Sequence, residues 1–165
     1  MLIVEDGTGL ANSESYESVA NADAFHLKRG NTVWGTLSET RKEQLLRQAT
    51  DYITYVFGPS FIGIRAVLGQ ALAWPRQLSD GGYLFSLGVP REIKQATVEL
   101  ALIAHTTALS PNQTGAAKKK VKVGPIEVEY DTSSFNGPRF VSATSLLASF
   151  MDTRSGGMTA RLVRT

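Results

Sequence analysis

At 165 residues and 42% apolar composition the chain can bury one hydrophobic core unaided, and the absence of cysteine excludes disulfides, thiolate nucleophiles and Cys-ligated zinc or iron–sulfur sites. The formal charge of +2 hides a split: residues 1–57 carry five Lys/Arg against eight Asp/Glu, net −3, and residues 58–165 carry twelve against seven, net +5. Such halves can attract each other within one chain or between copies. No apolar run approaches a membrane span, and the apolar start at Met1 to Val4 meets Glu5 and Asp6 too soon for a signal peptide, so the sequence reads as soluble, not exported by that route and without a membrane partner.

In chain order, residues 1–17 begin with a short apolar piece, dissolve into Gly, Asn and Ser, and read as an extended N-terminal arm. The GTG triplet at Gly7 to Gly9 lacks the ending and preceding strand of a phosphate loop. A helical body is expected over 18–109. Ser18 is placed to cap a helix over 19–29, with Val19, Ala22 and Phe25 as its apolar stripe and Gly30 as its left-handed stop. His26, beside that stripe and far from any clustered partner, reads as a packing or surface residue. Ser38 caps a second helix over 39–57, in which Leu45, Ala49, Tyr52, Ile53 and Val56 share a face.

Residues 58–88 hold neither period for long and read as a long loop, with a helical turn around Gln70 to Trp74, Trp74 packed inside, and Asp80-Gly81-Gly82 at a tip suited to binding. The central helix is expected over 89–109, with Pro90 in its first position and Pro111 marking its end. Ile93, Ala96, Leu100, Ile103, Ala104 and Leu109 recur at helical spacing, and the wholly apolar run from Leu100 to Ala104 demands cover from other helices or a neighbouring subunit.

A polar linker leads into VKVGPIEVEY, where a turn at Gly124-Pro125 would give a hairpin within 118–131: Val123 opposite Ile126, Val121 opposite Val128, Lys122 opposite Glu127 and Lys120 opposite Glu129. A last helix falls within 142–152, from Ala143 to Met151, with Ser142 as its cap and Leu146, Leu147 and Phe150 facing inward. Beyond Gly156-Gly157, residues 156–165 read as an extended C-terminal docking arm, with Met158, Ala160 and Leu162 setting register and Arg161 and Arg164 facing acidic surface or solvent. The fold class is therefore mainly α: a small bundle of about four helices with a β-hairpin and extended N- and C-terminal arms.

Chemistry is sparse. Two distant histidines, no HExxH pair and no GxSxG elbow give no catalytic residue, no metal site and no cofactor site, and an enzyme is not expected. The basic cluster Lys118, Lys119, Lys120 and Lys122 is the one stretch that reads as a DNA contact, with Tyr130 or Phe135 near enough in sequence to stack bases. Against this, Glu127 and Glu129 stand ready to neutralise those lysines.

The stretches LIVEDGTGL, SYESVANADAFHLKRGN, ATDYI, QALAWPR, VPREIKQATVELAL, VGPIEVEY and SGGMTARLVR, in this order, resemble the head-to-tail adaptor (connector or head-completion) proteins of tailed bacteriophages, a family often labelled DnaT-like single-stranded DNA-binding. The resemblance implies a structural virion protein made in the host cytoplasm. It would form a ring with itself, a dodecamer, under the portal protein at the neck. There it would extend the DNA channel, touch passing DNA non-specifically, and receive a tail-terminator, stopper or other neck or tail protein. The alternative takes the label literally and makes the chain a single-stranded DNA-binding protein.

Overall fold

The computed structural model describes residues 1–77, 88–110, 120–123, 126–129 and 140–152. Five helices are present among them, α1 (Val19–Lys28), α2 (Thr32–Gly35), α3 (Glu39–Tyr52), α4 (Arg91–Thr106) and α5 (Val141–Leu147), with two short antiparallel ribbons, β1 (Ile64–Arg65) with β2 (Arg76–Gln77) and β3 (Lys120–Val123) with β4 (Ile126–Glu129). The chain is mainly helical, as its periodicity implies.

Local chemistry explains the helix ends. Ser18 Oγ accepts from the Asn21 N–H at 3.2 Å and Ser38 Oγ from the Arg41 N–H at 3.3 Å, each satisfying a donor that the first helical turn leaves unpaired. At the far end of α1, Gly30 takes φ +70°, its N–H reaches the Leu27 carbonyl and the Asn31 N–H reaches the His26 carbonyl, a double closure that needs a left-handed residue. The expected second helix stops being α-helical at Tyr52; Ile53–Phe57 forms a π-helical turn and Gly58–Ser60, with Pro59 inside it, a 3-10 turn that ends at the extended Phe61.

Helix α4 is central: it packs on α3 along one side and on α5 along another. Ile93, Ala96, Leu100 and Ala101 from α4 meet Leu45, Leu46, Ala49 and Ile53 from the α3 arm and Ala143 and Leu147 from α5 in a single buried cluster. Each fully buried Leu or Ile contributes roughly 2 kcal/mol of apolar transfer. Leu102, Ile103 and Ala104 remain half-buried at the cluster's margin, so the cover that the apolar run demands is largely supplied within the chain.

Several boundaries differ from expectation. Pro90 is the residue before α4, extended at φ −54° and ψ 146°, and the helix ends at Thr106, where Thr107 turns extended, well before Pro111. The last helix starts at Val141 with Phe140 before it and no side-chain cap, so Ser142 lies inside the helix; Ala148–Phe150 then tightens to a 3-10 turn. Residues 70 to 74 form bends and no helical turn. There Gln70, buried, donates through Nε2 to the Leu72 and Pro75 carbonyls, and these bonds hold a non-helical path. Trp74 is packed, edge-on to Phe61 and Phe150.

The segment before α1 has no regular element beyond a bridge of Val4 to Ser15, yet it is fastened to the body and is no free arm. Glu5 is 1% exposed and its carboxylate gathers four donors: Gly7 N and Gly9 N on Oε1 at 2.9 and 2.8 Å, and Leu10 N and Ser13 Oγ on Oε2 at 3.0 and 2.9 Å. Gly7, at φ +101°, comes so close to Gly88 that a Cβ would stand 2.5 Å from the Gly88 Cα. Tyr16, fully buried, then carries the chain into the core.

Candidate nucleic-acid interface

The hairpin forms in the register that its alternation predicts, with Lys120 opposite Glu129, Val121 opposite Val128, Lys122 opposite Glu127 and Val123 opposite Ile126. Opposite-charge cross-strand pairs are mildly stabilising. Two of the four sequence-predicted DNA contacts thus stand in register with acids. Lys118, Lys119, Tyr130, Phe135, the Asp80-Gly81-Gly82 tip and the docking residues Met158, Ala160, Arg161, Leu162 and Arg164 lie outside the described residues.

On the body, α1 and the start of α4 enclose a groove of about 300 Å³. Phe25 forms part of its wall, and the guanidinium of Arg29, the residue after α1, lies over the Phe25 ring with Cζ 3.4 Å from the centroid, an i, i+4 cation–π contact. Across the groove stand Arg91 and Lys94, one turn apart on α4, neither making an ion pair among the described residues. Glu17 and Asn21 close the other side. Cations without an ion-pair partner among the described residues, beside a half-buried aromatic ring, suit a flexible, stacked polyanion.

Two further grooves suit DNA less well. One of about 530 Å³ between α1 and α2 is mainly apolar, with Leu27, Trp34 and His26 in its lining, and its lysine, Lys42, is committed to Asp23 at 2.9 Å. Asp23 also accepts from Trp34 Nε1 at 2.7 Å. His26 is a packing residue: its Nδ1 meets Asn31 Nδ2 at 3.0 Å, its ring lies 4.7 Å from that of Trp34, and burial pushes its pKa down. The other, of about 320 Å³ beside the end of α3, is lined by Asp51, Tyr52 and Tyr55; burial pushes the Asp51 carboxyl up, and no cation lines it. An acidic wall repels phosphate.

Sequence reading placed Phe25 in an apolar stripe and gave Arg91 and Lys94 no role, and so missed the groove. The Phe25–Arg29 spacing was a usable local signal, but the meeting of α1 with the start of α4 joins residues far apart in the chain.

No curated protein and no solved structure matches this chain. A family model does match, over residues 1–165, and its description names single-stranded DNA binding and no head-to-tail adaptor. This overturns the adaptor reading, with its portal, tail and virion roles, and favours the alternative, single-stranded DNA binding. Matched from end to end, the chain belongs to the family described as "Putative DnaT-like ssDNA binding protein".

Proposed function

We propose that this chain is a single-stranded DNA-binding protein, a binding module and not an enzyme. The match of the family model across all 165 residues carries the reading. The groove between α1 and α4 supports it, because Arg91 and Lys94 supply positive charge, with no ion pair among the described residues, beside the Phe25–Arg29 stack. Basic surface tracks a phosphate backbone without regard to sequence, and an aromatic ring offers a face to any base. The lysines at 118, 119, 120 and 122 give a second basic element, in the half of the chain with net charge +5.

The test is fluorescence anisotropy of a short labelled oligo(dT) at rising salt. The expected result is binding that weakens steeply with salt, and a further loss of about tenfold or more when Arg91→Glu and Lys94→Glu are combined. An unchanged thermal midpoint in that variant assigns the loss to the interface. Absence of binding at low salt would overturn the proposal.

A further inference from the structure

The acid in the groove is the informative residue. A plain phosphate track gains nothing from a carboxylate, which repels the backbone it should hold, yet Glu17 lines the same groove as Arg91 and Lys94. Glu17 is also held firmly. Its N–H donates to Ser15 Oγ at 3.2 Å, its carbonyl accepts from the same hydroxyl at 2.8 Å, and Ser15 is fully buried.

The carboxylate is oriented as well. Oε1 accepts from the Ser18 N–H at 2.9 Å and from Asn21 Nδ2 at 2.7 Å, while Oε2 has no partner among the described residues. One oxygen is therefore spent on fixing the group, and the other keeps its acceptor capacity. Preorganised acceptors of this kind recognise a donor edge.

Resting on the single-stranded DNA reading, we infer that the α1–α4 groove is a subsite for one base and that it selects guanine. Phe25, backed by the Arg29 guanidinium, takes the face of the base. Glu17 Oε2 accepts from the N1–H and N2–H₂ donors of the guanine edge, and Arg91 and Lys94 hold the adjoining phosphate. Thymine offers one ring donor flanked by two carbonyl oxygens, which the carboxylate repels, and cytosine and adenine offer an amino group beside an unprotonated ring nitrogen. Only guanine presents two adjacent donors to a carboxylate. The groove thus offers an acid to the base and two cations to the backbone, and the volume of about 300 Å³ suits one nucleotide in place of a stacked run.

The experiment compares oligo(dT) with the same oligonucleotide carrying single spaced guanines, using the full chain and Glu17→Gln. Gln at 17 can still accept from Ser18 and Asn21 but turns a donor toward the base. Wild type is expected to favour the guanine-bearing strand by about tenfold, the worth of one good base-edge pair. Glu17→Gln should bring that ratio near one, through lost affinity for the guanine-bearing strand. Equal affinity of wild type for both strands overturns the subsite but leaves single-stranded DNA binding intact. An equal loss for both strands in Glu17→Gln, with a lowered thermal midpoint, assigns Glu17 to helix support and also overturns it. If neither strand binds, the underlying reading fails with it.

Discussion

The Tyr16 hydroxyl lies 3.0 Å from Thr54 Oγ1, joining the segment before α1 to the π-helical turn after α3. The same oxygen accepts from the Ala73 N–H at 3.0 Å and the Trp74 N–H at 3.3 Å, so one buried phenol ties three distant parts of the chain. Tyr16→Phe keeps the ring packing and strands two backbone donors away from water. A loss of about 1–3 kcal/mol in urea unfolding is expected. Burial, the main cause, pushes the Tyr16 pKa from 10 up to about 12. The unfolded chain therefore releases this proton first, and stability is retained below pH 10 and lost as pH rises from 10 toward 12. Tyr16→Phe should lack that alkaline slope; an unchanged slope would refer it to other groups.

Glu5 builds the loop before α1 almost alone. Its two oxygens satisfy three backbone N–H groups and one hydroxyl. Glu5→Gln would turn a donor toward at least one of these donors, and charge-assisted bonds to buried groups are worth more than neutral ones. The expected cost is about 2–3 kcal/mol by thermal or urea unfolding, with faster amide exchange at Gly7, Gly9 and Leu10. A midpoint within error of wild type would show that the loop does not contribute to the stability of the body.

His26 makes the fold acid-sensitive. Desolvation is the main cause that lowers its pKa from 6.5, with Arg29 and Lys42 acting in the same direction, against the Val98 backbone and Asp23. The neutral ring is the one that folds, with Nδ1 accepting from Asn31. Because the unfolded histidine binds its proton first, stability is full above pH 6.5 and falls as the pH drops below it. His26→Gln should be less stable near neutrality yet show a flatter pH dependence between neutral and mildly acidic conditions, read by thermal midpoints across that range. A parallel curve would contradict this assignment.

What was legible in the chain was local. Ser18 and Ser38 announce their helices because a cap acts within three residues, and the hairpin register follows from a two-residue alternation around Gly124-Pro125. What was not legible depends on residues that meet only after folding. Arg76 donates to the carbonyls of Phe61, Ile62 and Ala73, which fixes the path of the long connection, and no periodicity encodes that. Glu5 satisfies a loop whose composition looks like that of a free arm. Ser142 had a capping residue's chemistry, but the helix had already begun at Val141. The groove was hidden for the same reason: α1 and the start of α4 each look like ordinary amphipathic helices, and only their packing puts Arg91 and Lys94 across from Phe25.

The salt dependence of binding separates the two basic elements. Each phosphate neutralised by a lysine or arginine releases condensed counterions, and for a single strand the slope of log affinity against log salt is about −0.7 per contact. Replacing both Arg91 and Lys94 with Ala should therefore flatten the slope by about 1.4 if each holds one phosphate. Alanine is the right substitution here, because reversing the charge would add repulsion to the lost contact. Lys118, Lys119 and Lys120→Ala should flatten it by about 2 where all three touch the backbone, and by less where they do not. Where the two sets act independently, their effects on the slope should add when combined. Flattening by the lysine set alone, with the groove set silent, would move the DNA path off α1 and α4 and onto the lysine-rich segment. Flattening by neither, in a protein that still binds, would mean that both basic elements are spectators.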